Sequence, residues 1–365
     1  MARLEDVCKK ATSNIAQKDL AEHNGDYPIY GASGFIKNVD FYQQESPYIA
    51  VVKDGAGIGR VMKLSAKTSV IGTMQYIIPN DIVDISYLAY AMEHMNLSKY
   101  FTGATIPHIY FKDYQKEELP LPPLDEQRKI AAVLDKVSDV IAKRRQQLDK
   151  LDEMVKSRFM EMFYDTEDNV NWPIITMADI STNMRTGPFG SALHHDEFVE
   201  TGIFVLGIDN AVENKFSYNR MRYITEEKYE QLKRYTVRPG DVIITIMGTV
   251  GRSAVIPDDI PKAINTKHLA CLTIDRNKAL PTFICSAFQI HPEIRKQLTR
   301  QAKGAIMDGL NLAIIKKLHF KLPSIEMQNK FVEFYDVTEK TKTTINRSLD
   351  KLKTLKEALM QEYYG

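Results

Sequence analysis

Displaced by 201 residues, the second half of this chain falls onto the first. Gly103-Ala104 meets Gly304-Ala305, Leu121-Pro122 meets Leu322-Pro323, and Gln127 meets Gln328. Leu148-Asp149-Lys150-Leu151 meets Leu349-Asp350-Lys351-Leu352. The register holds without a gap over about sixty residues, and a repeat of this kind restricts architecture more than composition can. Solenoid units run to about 20–50 residues, so a period of 201 means two copies of a whole domain. A length of 365 residues fits two or three domains.

Four segments follow from the repeat. Residues 1–121 and 166–322 read as mixed globular units, while 122–165 and 323–365 read as long helices that trail them. The helices open alike, with LPLPPLDEQRKI in one copy and FKLPSIEMQNKF in the other. Proline cannot continue a helix from upstream but is tolerated at its start. Ser324 is placed to act as N-cap, and Asp125 and Glu126 suit the positive N-terminus of the first helix. A seven-residue repeat puts Ile130, Leu134, Val137, Ile141, Arg144, Leu148, Leu151, Val155, Arg158 and Met162 on one seam, eight of the ten apolar. At the same offset the second helix presents Phe331, Tyr335, Thr338, Lys342, Ile345, Leu349, Leu352, Lys356, Leu359 and Tyr363. Both seams suit coiled-coil packing. The expected helix-pair interface is Ile130, Leu134, Val137, Ile141, Leu148, Leu151, Val155, Ile345, Leu349, Leu352 and Leu359.

Charge says what the helices are for. Nine basic residues stand against nine acidic in 125–165, and seven against seven in 324–365. A helix made to lie along DNA would be lopsidedly basic, so these two read as spacers and docking surfaces packed on each other. Forty helical residues span ~60 Å. An antiparallel pair would set the globular units at its opposite ends with pseudo-twofold symmetry.

The globular units alternate β-rich and helical stretches. PYIAVVKDGAGIGRVMKL (47–64) and DVIITIMGTVGRSAVIP (241–257) align with Gly59-Arg60 over Gly251-Arg252, each reading as strand, Gly-rich turn and strand. Short helices are expected near 86–95 and 281–288, followed by loops at 102–120 and 303–320. Residues 184–215 read as an insert present in the second unit alone. One scaffold with different loops is what a fold reading two different things would show. The fold class is therefore α+β: two mixed units separated by two long helices that form an antiparallel coiled coil.

Catalytic signatures are missing. Gly55-Ala56-Gly57-Ile58-Gly59 fails the dinucleotide spacing because Arg60 holds the place of the third glycine, and there is no Walker A sequence. Pro122-Pro123 has leucine on both sides, unlike the Asn/Asp-Pro-Pro-aromatic loop that a self-contained amino-methyltransferase requires. The eight histidines give no metal-ligand spacing, and His194-His195 sit side by side in a polar stretch. Glu226 and Lys228 form an ExK pair without the placed aspartate that a nuclease needs. No cofactor and no metal are expected. No apolar run reaches 18 residues and the N-terminus lacks a secretory core, so neither a membrane span nor export is expected. Cys8, Cys271 and Cys285 are odd in number and widely spaced, as in a reduced cytosolic protein. At a net charge of +1, any basic surface must be local.

These residues resemble one family, the DNA specificity subunits of type I restriction–modification systems. The resemblance runs along essentially the whole chain. It is carried by LPLPPLDEQRKIAAVLDKVSDVIAKRRQQLDKLDEMVKSRF (119–159) and its weaker copy, and by the openings Leu4-Glu5-Asp6-Val7 and Met177-Ala178-Asp179-Ile180. YPIYGASGFI (27–36), GPFGSAL (187–193) and the GATxxxI loop (103–109) add to it. The second copy departs from the pattern, with Glu326-Met327-Gln328 in place of Asp125-Glu126-Gln127. The resemblance implies that each globular unit is a target recognition domain reading one half of a bipartite double-stranded DNA site. It implies that the helices fix the gap and dock two modification subunits, which carry S-adenosylmethionine and methylate adenine. Restriction subunits would add ATP-driven translocation and cleavage, and this chain would be a non-catalytic, cytoplasmic subunit. A spacer of ~60 Å suits half-sites on the order of one B-DNA turn apart, ~34–36 Å.

Phosphate contacts position such a protein and base-edge contacts specify sequence. The candidates for DNA contact are Lys53 and Arg60 in the first hairpin and Thr105 and His108 in the loop after it. In the second unit they are Arg185, Arg252, Lys267, His268 and Lys303. Tyr110, Phe111 and Phe189 could pack on unstacked bases, whereas Gly103 and Gly304 read as backbone-turn requirements. The rival reading is a coiled-coil protein adaptor that never touches DNA. Heptads alone fit it equally well, but two globular units with divergent loops are more than an adaptor needs.

Overall fold

The computed structural model describes residues 1–103, 107–189, 192–302 and 310–365. Two compact units divide it, one of residues 1–147 with 344–365 and the other of residues 148–343. Each unit thus combines a globular part with the first stretch of one long helix and the last stretch of the other.

In the first unit a four-stranded antiparallel sheet has the order Cys8–Thr12, Met74–Pro79, Tyr48–Val52, Val61–Leu64. A three-stranded sheet has the order Gly34–Val39, Tyr27–Gly31, Ser69–Val70, its last pair parallel. Tyr48–Val52 is buried at every position, as a continuous apolar run implies for a strand covered on both faces. Alternation sorts its side chains. Ile49 and Val51 join the core under the helices, whereas Tyr48, Ala50 and Val52 fill a second core with Tyr76 and Met74.

The second unit repeats this order strand for strand. Its four-stranded sheet runs Ser181–Thr186, Leu269–Ile274, Val242–Thr245, Ser253–Val255. Its three-stranded sheet runs Tyr223–Ile224, Ile203–Leu206, Ala263–Asn265, again with a parallel last pair. A two-stranded ribbon closes each unit: Ala2–Arg3 with Glu118–Leu119, and Ile174–Thr176 with His319–Lys321. The duplication reaches single bonds. The carboxylate of Asp6 accepts the Arg3 N–H at 3.0 Å, and that of Asp179 accepts the Thr176 N–H at 2.8 Å. Leu4, Val7, Met177 and Ile180, the apolar residues of the two openings, are all buried. The α+β class holds.

One expectation needs correcting. Residues 184–215 are not an insert in the second unit alone, because Ile203–Leu206 is the core strand matching Tyr27–Gly31 of the first. The extra length lies after it. Between that strand and the hairpin, the second unit adds a 3-10 turn at Ile208–Asn210 and the helix Glu226–Leu232. A β-strand has little local signature when its partners are distant in sequence, so its position within a loop-like stretch is invisible to patterning.

The long helices span Leu124–Phe163 and Ile325–Tyr364, 40 residues each. Ser324 caps the second, its hydroxyl accepting the Met327 N–H at 3.4 Å. In the first unit Ala131 and Leu134 share a core with Met360 and Tyr364, so the start of one helix lies antiparallel against the end of the other. In the second unit Val155, Phe159, Met162 and Phe163 do the same with Phe331. Leu134, Ile141, Val155, Ile345 and Leu349 are buried; Ile130, Val137, Leu148, Leu151, Leu352 and Leu359 are half-buried. The heptad fails near its end, where Arg158 is exposed and Phe159 is fully buried. A straight helix drifts against a strict seven-residue repeat, and here its end docks into a globular core. Phe163 meets Phe283 at 4.9 Å between ring centroids, and one repeat later Tyr364 meets Tyr87 at 4.9 Å.

Candidate nucleic-acid interface

In the first unit three loops meet at the end of the buried strand. Gly59 N–H donates to the Val52 carbonyl at 2.9 Å and Val52 N–H to that of Arg60 at 3.0 Å, closing the hairpin. Ile109 N–H bonds the Lys53 carbonyl at 2.9 Å, and Thr102 and His108 exchange both backbone bonds at 2.8 Å. Gly59 has φ +80°, and a Cβ there would stand 2.5 Å from the Ser98 nitrogen, so only glycine lets the hairpin lie on the 3-10 turn Leu97–Tyr100. The surface so formed carries Lys53, Asp54, Arg60, His108 and the exposed rings of Phe101 and Tyr110. His108 Nδ1 lies 2.7 Å from the Asp54 carboxylate, which also pairs with Lys53. The Tyr110 ring lies nearly parallel to the His108 ring, 6.5 Å away. Arg60 reaches over to donate to the Ala32 carbonyl at 2.8 Å, at the turn before the exposed Phe35.

The second unit builds the same frame. Gly251 N–H donates to Thr245 at 2.9 Å, Thr245 N–H to Arg252 at 2.8 Å, and Leu310 N–H to Ile246 at 2.9 Å. Those bonds make Arg252 the counterpart of Arg60, Ile246 of Lys53 and Met247 of Asp54. A Cβ on Gly187 would stand 2.1 Å from the Asn265 carbonyl oxygen, so glycine is required for that loop to lie on the turn bearing Lys267 and His268. Arg252, Lys267, Met247 and Phe189 are exposed, and His268 is half-buried. Burial, then the nearby charges of Lys267 and Arg222, hold His268 below its ordinary pKa. The neutral ring favoured there keeps one nitrogen free to accept.

The structure does not bring all nine candidates together. Lys53, Arg60 and His108 gather on one face of the first unit, and Arg252, Lys267 and His268 neighbour the matching loops of the second. Thr105 and Lys303 lie outside the described residues. Arg185 is a correction: its guanidinium turns inward, donating to the Asp241 carboxylate at 2.5 Å, the Thr236 carbonyl at 2.6 Å and the Thr273 hydroxyl at 3.1 Å. Met184 packs on the core under the helices, so its neighbour Arg185 lies on the opposite face of the strand Ser181–Thr186, where the buried Asp241 receives it. Asp54 and Met247 belong to the surface without having been singled out from sequence. Asp54 meets His108 only through folding, and no local pattern marks that pairing.

Two other expectations concern absent chemistry. Glu226 pairs with Lys262 at 2.7 Å and Lys228 with Glu197 at 2.5 Å, so the ExK pair is spent on separate surface ion pairs. Among the described residues no cluster of three or more His, Cys, Asp or Glu could hold a metal ion, and no helix is long and apolar enough to cross a membrane. All three cysteines are buried and free, with burial pushing the Cys8 thiol up to about 12 and Cys285 up to about 11.

Two copies of one recognition frame, differing in the side chains they expose and mounted on paired helices, define a duplicated recognition module. A family model described as the type I restriction modification DNA specificity domain matches residues 1–153 and again residues 156–354, and the chain belongs to that family. The EcoBI specificity subunit of Escherichia coli is 22% identical over 292 residues, a match spanning 72% of this chain but 61% of that subunit. The MjaVIII specificity subunit of Methanocaldococcus jannaschii is 22% identical over 353 residues, 89% of this chain and 81% of that one. In three dimensions the chain superposes on the S subunit of an M. genitalium type I restriction–modification system with a TM-score of 0.66 at 16% identity, covering 100% of this chain and 95% of that one. A chain from a study of complex assembly and conformational transition in a type I system gives a TM-score of 0.55 at 13% identity, covering 99% and 96%. At such identities the two superpositions show a shared fold alone.

Proposed function

We propose that this chain is the DNA sequence-specificity subunit of a type I restriction–modification complex, each unit reading one half of a bipartite double-stranded target. The observation that carries the reading is the repeated hairpin frame with changed contents. Arg60 and Arg252 hold the same backbone position after the hairpin turn and both are exposed, so each unit has one cation there suited to phosphate or guanine. Beside it the first unit offers Lys53, Asp54 and His108, whereas the second buries Ile246 at the place of Lys53 and offers Met247, Lys267 and His268. A shared cation with different neighbours positions two half-sites alike and reads them differently. Thr105 and Lys303 stay among the candidate contacts on sequence grounds; Arg185 does not.

The chain itself carries no chemistry in this reading and needs no cofactor. Its partners are two modification subunits docked on the helix pairs and, in a restricting complex, ATP-dependent restriction subunits, all acting in the cytoplasm. The test is single-molecule methylome sequencing of a methylation-free host expressing the chain with its cognate modification subunit. One bipartite adenine-methylated motif is the expected result, and Arg60→Ala should weaken methylation through the first half-site as Arg252→Ala does through the second. A stable complex that methylates nothing would favour the protein-adaptor reading. Methylation by the pure chain would overturn the non-catalytic assignment.

A further inference from the structure

Away from the reading surfaces, one side chain is reproduced bond for bond in the two units. Gln127 is 1% exposed and Gln328 0%. Gln127 accepts the Asp84 N–H at 2.8 Å and donates to the carbonyls of Ile82 at 3.1 Å and Pro122 at 2.8 Å. Gln328 accepts the Leu280 N–H at 2.9 Å and donates to the carbonyls of Lys278 at 3.2 Å and Pro323 at 2.9 Å. Asp84 and Leu280 are the N-caps of the short helices Ile85–His94 and Pro281–Ile290. Each amide therefore ties three pieces of chain: the loop entering a short helix, the proline that opens the linker, and the first turn of a long helix. Both amide hydrogens and the carbonyl oxygen are used in each case.

Filling space does not call for this chemistry. A leucine or methionine would occupy the volume without fixing a direction, whereas hydrogen bonds at these lengths weaken steeply as angles open. Sequence context makes the same point. The preceding pair changes from Asp125-Glu126 to Glu326-Met327, mostly exposed positions, while the glutamine stays. We propose that Gln127 and Gln328 are positioning residues that lock each globular part at one angle to the long helix it launches, and so restrict the spacing at which the half-sites are accepted. This rests on the bipartite reading above.

The experiment compares the complete complex carrying wild-type chain, Gln127→Met or Gln328→Met by methylome sequencing. With the lock removed, methylation at sites whose spacer is one base pair longer or shorter should rise by about tenfold relative to the preferred spacing, the worth of one hydrogen bond. Both half-sequences should stay unchanged. A merely structural role would lower methylation evenly and leave the spacing distribution alone, and that result overturns the proposal. Should the methionine variants fail to assemble, Gln127→Glu keeps the bond to the Asp84 N–H but sets a carboxylate against two carbonyls. It carries the same expectation, and unchanged spacing there overturns the proposal too. A wild-type complex without a bipartite motif would bring down the underlying reading, whereas a wild-type motif with unaltered spacing in the variants removes the lock alone.

Discussion

Without its Arg185 partner, the Asp241 carboxylate would stay buried, holding only the N–H of Arg238 and the side chains of Thr273 and Cys271. Breaking a buried pair by removing one member costs about 3–5 kcal/mol, so Arg185→Ala should destabilise the second unit by that order in chemical denaturation. A loss under about 1 kcal/mol, the range of surface pairs, would mean that the arginine is free after all. His291 makes a second case. It is buried against Phe159 and Phe320, and burial lowers its pKa to about 4 despite the nearby Glu293. The unfolded chain, with its histidine near 6.5, binds the proton first as pH falls. Stability should therefore be complete above about pH 6.5 and drain away down to about pH 4, by on the order of 3 kcal/mol. His291→Asn, which can still accept the Glu293 N–H, should flatten that part of the melting-temperature profile; an unchanged slope would assign it to other groups. Neither role was legible in sequence. An arginine in a Gly-rich neighbourhood and a histidine before Pro292 look like surface residues until distant strands and helices cover them.

At the scale of elements, the long helices were the most legible part of the chain. Their seam follows from heptad spacing, which is local, and the seam positions are buried or half-buried until Arg158. There the core of the second unit takes over, drawing in Phe159 and Phe163 instead. Cationic seam positions are held as well: Lys342 pairs with Glu339 at 2.6 Å and with Asp152, and Lys356 reaches Glu93 at 2.8 Å. Inserting four residues near Gln146, about one helical turn, should change the spacing of the recognised half-sites while both half-sequences persist. Altered half-sequences at unchanged spacing would contradict a spacer role. Strands were less legible. The buried hairpin strands announced themselves by apolar runs, but Ile203–Leu206 did not separate from the loops around it, because its pairing with Ala263–Asn265 is remote in sequence.

For the whole molecule, a net charge of +1 leaves no general attraction to DNA, so affinity must come from local cations. Binding of the complex to its target should weaken steeply as salt rises, and Arg60→Ala or Arg252→Ala should each flatten the log–log slope by about one. Affinity insensitive to salt would argue against phosphate contacts at these loops. Duplication and the helix seams were legible in sequence alone, because each is a matter of spacing along the chain. Which side chains share a surface was decided only by tertiary structure. Strand pairing over long separations turns Arg185 inward and sets His108 against Asp54, while the frame places Arg60 and Arg252 at matching positions; none of those distances is encoded in neighbouring residues.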